Sequence, residues 1–232
     1  MIMNDMKKMI TPVVLVCLLF IGCSKMDGPT HQYTKDGEII YATRIDSLKA
    51  FPGNNRIKLT WLLPANNSAV KAIAYWDNKA KSREVPLIKG ADNTYEYILE
   101  NMPEASYLFD VYTFDKENHI SVKNTANTIA YGEVYRKGLL NRLYIKISKR
   151  NGQLVINWNL PEKEMIGVEV QYTNTSNTVL SESSLGSNNE TVISGAVDFT
   201  RPIRYRTIYN PGLKSIDTFA SEWSGPIAIN NL

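Results

Sequence analysis

Cysteine and histidine are scarce in this chain of 232 residues, with two of each. So few leave almost nothing from which to build a Cys/His metal site or a nucleophile activated by a histidine base. Neither sign of charge dominates: 26 Lys plus Arg stand against 23 Asp plus Glu, for a net charge of +3. That balance is a poor basis for binding through phosphate neutralisation, and no nucleic-acid partner is expected. Long apolar runs are missing too. The longest, Met9 to Gly22, has fourteen residues, whereas a bilayer-spanning helix needs about 20. What is present is an ordinary globular composition, 44% apolar and 21% charged, enough for one or two modest domains.

That short run follows Lys7 and Lys8 and ends in Phe20-Ile21-Gly22-Cys23. A charged start, a short apolar core and a small residue at the end make a signal peptide. The ending resembles the bacterial lipobox, with Phe20 where Leu is usual, so Cys23 is the expected lipid attachment site. A thiol accepts a diacylglyceryl group as a thioether, and two or more long chains, at about 0.8 kcal/mol per buried methylene, anchor a protein stably. Ser24 after the Cys, by resemblance to the usual sorting rule, favours the outer membrane; surface-exposed and periplasm-facing orientations both stay open. Cleavage before Cys23 also removes Cys17. The mature body then has no disulfide and must be stabilised by apolar cores.

From Ser24 to Gly37 the chain is polar and lacks either structural period, as a tether would. Alternation follows. Arg56-Ile57-Lys58-Leu59-Thr60-Trp61 reads polar-apolar with period two, between Asn54-Asn55 and Pro64, as a half-buried strand does. Sliding the sequence over itself by 97 residues lays Leu59, Trp61, Leu63, Pro64, Ile73 and Tyr75 on Ile156, Trp158, Leu160, Pro161, Val170 and Tyr172. Six matched positions of one character indicate a tandem repeat.

A strand with an inward Trp, a turn at Pro, then a strand with an inward aliphatic and Tyr resembles strands B and C of a fibronectin type III domain. Leu99-x-x-Met102-Pro103 and Tyr107-x-Phe109-x-Val111 resemble its E to F corner and strand F, where a Tyr hydroxyl ties the corner down. In the second copy Ile203 to Thr207 supplies strand F, and Ser221-Glu222-Trp223-Ser224 leads into the last strand; whether Tyr205 fills the corner position is open. No amphipathic helix is expected after residue 23. The expected class is therefore all-β: a signal peptide over 1–22, a lipidated tether over 23–40, and two tandem β-sandwiches of the fibronectin type III (immunoglobulin-like) kind over 41–135 and 136–232.

Residues Gly37 to Tyr41, Asp46 to Trp61, Tyr75-Trp76 and Tyr131-Gly132-x-x-Tyr135-x-x-x-Leu139-x-Asn141-Arg142 are similar to a family of Bacteroidetes lipoproteins of the DUF4998 type. The resemblance implies a cell-envelope lipoprotein, often associated with polysaccharide acquisition. It carries over no catalytic residue.

His31 lies in the tether and His119 in the Asp115-Lys116-Glu117-Asn118-His119 turn, neither in a Gly-x-Ser-x-Gly setting, and both read as solvated loop histidines. Phosphate loops, dinucleotide fingerprints and His-Glu-x-x-His are absent. Glu100, Glu104, Glu117, Glu162 and Glu164 fall at predicted turns, where solvation explains them, rather than as a pair flanking a glycosidic bond. No enzyme activity, metal or cofactor is expected. Arg204 and Arg206 share the outward face of their strand with Glu169 and Gln171 on its neighbour, an arrangement that cross-strand pairing explains and that leaves room for an acidic sugar.

One surface stands out. With Ile73 and Tyr75 inward, period two places Ala72, Ala74 and Trp76 on the outside of strand C, and Leu108, Asp110, Tyr112 and Phe114 on the outside of strand F. Trp76 and Tyr112 over a floor of alanines, with Asp110 as acceptor, suit a pyranose, whose C–H groups stack on a ring while its hydroxyls need polar partners. Alternatively the aromatics stack across strands or are covered by the second domain. Two functions follow. One is a non-catalytic glycan- or glycoconjugate-binding lipoprotein serving envelope transport and hydrolase proteins. The other is a spacer or adhesion subunit making protein–protein contacts in the outer membrane.

Overall fold

The computed structural model describes residues 40–90 and 94–232. Cys23, His31, the expected signal peptide and nearly all of the expected tether lie outside the described residues. Seven strands come first: β1 (Asp46–Pro52), β2 (Arg56–Leu62), β3 (Lys71–Trp76), β4 (Lys81–Val85), β5 (Thr94–Glu100), β6 (Ala105–Phe114) and β7 (Asn124–Ala130). A short helix, α1 (Glu133–Gly138), leads to β8 (Tyr144–Arg150), β9 (Gln153–Trp158), β10 (Met165–Thr173), β11 (Val179–Leu185), β12 (Glu190–Ile193), β13 (Arg204–Tyr209) and β14 (Phe219–Ala220). Strands β1-β2-β5 form one antiparallel sheet and β4-β3-β6-β7 the other; the order recurs as β8-β9-β12 and β11-β10-β13-β14. This is the all-β, tandem fibronectin-like arrangement that the repeat implies.

Period-two patterning explains the cores. Ile57, Leu59 and Trp61 on β2 are buried while Arg56, Lys58 and Thr60 are not, and Trp61 stacks on Tyr95 at 6.1 Å. In the second sandwich Leu154, Ile156 and Trp158 occupy the same place. Fully burying each such side chain contributes about 1.5–3 kcal/mol. The Tyr107 hydroxyl donates to the Pro103 carbonyl at 2.8 Å, which is the corner lock expected for strand F. Arg206 bonds Glu169 and Arg204 bonds Gln171, each at 2.7 Å across β10 and β13, as their shared outward face predicts.

The phase of β3 corrects the sequence reading. Ala72 and Ala74 are wholly buried, whereas Ile73 and Tyr75 are only half-buried. Trp76 packs against the first core, its ring 5.9 Å from Phe109. The registers give the reason: Ala74 stands opposite Val111 as Val170 stands opposite Tyr205. The turn between the second and third strands is thus one residue shorter in the second copy. The true equivalent of Trp76 is Tyr172, not Thr173, and both point inward.

The structure settles the open question of Tyr205 and corrects one expectation. Tyr205 is not a corner residue: its hydroxyl donates to the Arg142 carbonyl, and register places Arg201 where the first copy has Tyr107. A helix also exists after residue 23. Helix α1 is only six residues long, too short for a hydrophobic period to show. Glu104 accepts from the Val134 and Tyr135 amides at 2.8 and 2.7 Å, an N-terminal cap supplied from across the fold.

A polar repeat accompanies the apolar one. The Thr113 amide donates to the Ser121 hydroxyl and the Thr207 amide to the Ser221 hydroxyl, each at 2.9 Å and buried. Between the sandwiches Arg56 forks onto Asp217 at 2.8 and 2.5 Å, and the Ile216 amide donates to the Pro52 carbonyl at 2.8 Å. The Arg56 guanidinium holds the Asp217 carboxyl below the usual range, against burial, which raises it. A Cβ on Gly53 would meet Asp217 and Ile216 at 2.8 Å, so glycine lets these two segments of the chain approach there. Tyr131, Tyr135 and Phe219 complete the joint as an aromatic cluster, with centroids 4.5–5.9 Å apart.

Candidate functional site

The hairpin from β3 to β4 shapes the site. Asp77, Asn78 and Lys79 all have positive φ, between 52° and 67°. Asp and Asn tolerate that region and Lys does not, so the turn is held at a cost of about 1–3 kcal/mol per strained residue. What compensates is visible. The Ala80 amide donates to the Asp77 carbonyl at 2.9 Å, and Lys79 reaches back over the sheet to donate to the Tyr112 hydroxyl at 2.9 Å. That hydrogen bond holds the Lys79 ammonium above its ordinary pKa.

Beneath the turn lies an open groove of about 420 Å³, walled by Tyr75, Trp76, Asp77, Lys79, Tyr107 and Asp110 among others. Of the residues expected at a sugar site, Trp76 and Asp110 line it. Tyr112 stands one step back, its ring edge-on to Tyr75 at 5.9 Å. The aromatic outer face therefore exists, with Tyr75 in the place assigned to Trp76. The signal was available: Lys71 shares the parity of Ile73 and Tyr75, and a lysine marks the solvent face of a strand. Asp110 accepts from the Thr125 hydroxyl at 3.0 Å and pairs with Lys123 at 3.4 Å, which fixes the carboxylate and leaves it capacity for further donors.

The second copy shows why Trp76 borders a groove at all. There Tyr172 is buried, because the segment around Gly195 packs so closely on its hydroxyl that a Cβ would lie 2.2 Å away. The Thr175 amide donates to the Ala196 carbonyl at 2.9 Å, holding that segment in place. No comparable cover lies over Trp76 among the described residues.

Asp115, His119, Glu104 and Glu164 have partners within the fold. His119 is not simply solvated: its Nδ1 lies 2.8 Å from Asp115 Oδ2, and its amide and that of Glu117 donate to Asp115 Oδ1. Burial pushes the Asp115 carboxyl up, and these bonds outweigh it to hold the group below its usual range. Asp115, Glu117 and His119 come within 4.8 Å of one another, the one such cluster among the described residues; the bonds just described account for its geometry. Glu104 caps α1, and Glu164 accepts from the Gly212 amide at 2.6 Å.

A family described as DUF4998, a domain of unknown function, matches residues 23–219. No curated protein matches the chain. Among solved structures, the FN1-FN3 domains of chicken CNTN1 are 12% identical with a TM-score of 0.47, over 82% of this chain and 66% of that one. A two fibronectin type-III domain segment from chicken tenascin is 16% identical with a TM-score of 0.33, over 79% of this chain and 98% of that one.

Proposed function

Since the chain belongs to the DUF4998 family over residues 23–219, a family without an assigned function, we propose from its own residues that it is a lipid-anchored, non-catalytic glycan-binding protein of the cell envelope. The observation that carries the reading is the groove under the Asp77-Asn78-Lys79 turn. It sets the Tyr75 ring beside Asp77, Asp110 and a cation, so that a pyranose finds a stacking face and hydroxyl partners together. The groove is open rather than enclosed by converging acids, which suits holding a chain instead of cleaving it. The anchor rests on Lys7, Lys8, the short apolar core and Gly22-Cys23.

The orientation of Trp76 decides which variant tests the groove. Trp76→Ala would empty part of the core, whereas Tyr75 faces outward, so Tyr75→Ala should change stability by less than about 1 kcal/mol. Retention of the detergent-solubilised full chain on neutral plant and host polysaccharides should fall on the order of tenfold or more in Tyr75→Ala, the usual weight of a lost stacking contact with its desolvated neighbours. If the unaltered chain holds none of these polysaccharides and co-purifies with an envelope protein instead, the spacer reading replaces this one.

Replacing Cys23 with Ser should shift the protein from the membrane to the soluble fraction, as loss of two or more acyl chains leaves nothing to hold it. A Cys23→Ser protein still sedimenting with membranes refutes the anchor.

A further inference from the structure

The groove of the first sandwich has a counterpart in the second, and its chemistry is reversed. By strand register Tyr75, Trp76, Asp77, Leu108 and Asp110 correspond to Gln171, Tyr172, Thr173, Pro202 and Arg204. Those five residues, with Val179 and others, line an open groove of about 360 Å³. Where the first groove presents the Asp110 carboxylate, the second presents a guanidinium.

Arg204 is held ready for an anion. Its Nε donates to Gln171 Oε1 at 2.7 Å, and its guanidinium lies 4.9 Å over the Trp223 ring. The neighbouring Arg206 lies 4.5 Å from the same ring. The two arginines differ in one respect. Arg206 faces Glu169, with Nη2 2.7 Å from its carboxylate, and is neutralised. Arg204 faces a glutamine and has no carboxylate within 4.0 Å among the described residues. Two rungs of one cross-strand ladder thus carry one compensated charge and one uncompensated charge. Nε is engaged and the ring fixes the plane, so the two terminal nitrogens form a planar fork whose orientation is already restricted, which lowers the entropic cost of engaging an oxyanion.

We propose that this second groove binds an anionic sugar residue, its oxyanion seated on the Arg204 fork and its ring lying along the exposed Pro202 and Val179. A planar carboxylate matches the guanidinium edge with two parallel hydrogen bonds, which makes a uronic acid the favoured ligand; a sulfated sugar offers the same chemistry. The inference rests on the glycan-binding reading for its ligand class but not on the first groove.

The test is affinity electrophoresis of the detergent-solubilised full chain in gels containing polygalacturonate, which carries carboxylates only, or dextran sulfate, which carries sulfates only. Arg204→Ala should weaken retention by polygalacturonate on the order of tenfold or more, the range of a lost charge-assisted fork. Arg204→Lys, which keeps the charge and loses the fork, should recover only part of it. Lys163→Ala, which removes an exposed cation from the loop between β9 and β10, should behave as the unaltered chain in these gels, and Arg204→Ala should retain neutral polysaccharides. Retention of dextran sulfate alone, abolished by Arg204→Ala, supports the site with a sulfate as its anion. The proposal is overturned if the unaltered chain is retarded by neither polyanion, if Arg204→Ala is retarded as strongly as the parent, or if Lys163→Ala loses as much as Arg204→Ala. Failure of Tyr75→Ala to affect neutral polysaccharides would instead strike the first groove and leave this result standing.

Discussion

Replacing Trp158 with Ala should lower the unfolding free energy by about 3 to 5 kcal/mol, the range for removing a buried indole from a packed core. The side chain is 2% exposed and meets Tyr205 edge-on at 4.9 Å. Its Nε1 donates to the Thr191 hydroxyl at 2.8 Å, so the variant loses the aromatic contact and a buried hydrogen bond. Trp61 in the first sandwich is as deeply buried, but its Nε1 has no hydrogen-bond partner among the described residues. Trp158→Phe should therefore cost more than Trp61→Phe, by about 1 kcal/mol, one hydrogen bond's worth. Urea denaturation followed by tryptophan fluorescence and circular dichroism measures both. A loss well under 1 kcal/mol in Trp158→Ala would mean that the indole does not fill the core.

Trp61 was legible because its strand alternates without ambiguity: Arg56, Lys58 and Thr60 define one face and leave Ile57, Leu59 and Trp61 the other. Trp158 was legible from the repeat, since its own strand is apolar at Leu154, Val155 and Ile156 in succession. Tyr107 was legible for a different reason, since a corner Tyr is recognised from Pro103 and the apolar residues that follow it. Strand β3 was not. Lys71-Ala72-Ile73-Ala74-Tyr75-Trp76 puts its bulkier residues on both parities, and hydrophobicity alone favours burying Ile73 and Tyr75. Packing decides otherwise. Ala72, Ala74 and Trp76 of β3 pack in one cluster with Trp61 and Phe109, so two small residues share the interior with large rings, and volume, not polarity, sets the phase. The repeat strengthened the wrong choice, because one residue lost between two strands inverts every side chain that follows. The cap on α1 and the fork of Arg56 on Asp217 join residues far apart in sequence and leave no local pattern to find.

Arg142 is the least legible residue with a large expected effect. It is 2% exposed, and its guanidinium donates to three backbone carbonyls: Asn159 at 2.8 Å, Gly186 at 2.9 Å and Asn188 at 3.0 Å. Its own amide donates to the Thr207 hydroxyl at 2.8 Å and its carbonyl accepts from Tyr205 at 2.7 Å. One side chain thus closes the loops that follow β9 and β11, where backbone acceptors would otherwise be buried unpaired. No carboxylate accompanies it among the described residues, and burial holds its pKa below the usual arginine value. Arginine tolerates this because its intrinsic pKa is so high that the charge survives. Arg142→Ala should cost about 3 kcal/mol or more, from three stranded carbonyls and the lost packing on Trp158. Arg142→Lys gives the sharper test. An ammonium cannot reach three carbonyls in a plane, and burial without an anion lowers a lysine's pKa toward neutrality. The unfolded chain would then hold a proton that the folded chain lacks between the depressed pKa and about 10.4, so stability of the variant rises with pH across that window. Urea midpoints of Arg142→Lys should accordingly be higher at pH 9.5 than at pH 7, by more than those of the unaltered chain. A lysine variant as stable as its parent at both pH values would mean that the guanidinium is not enclosed as described.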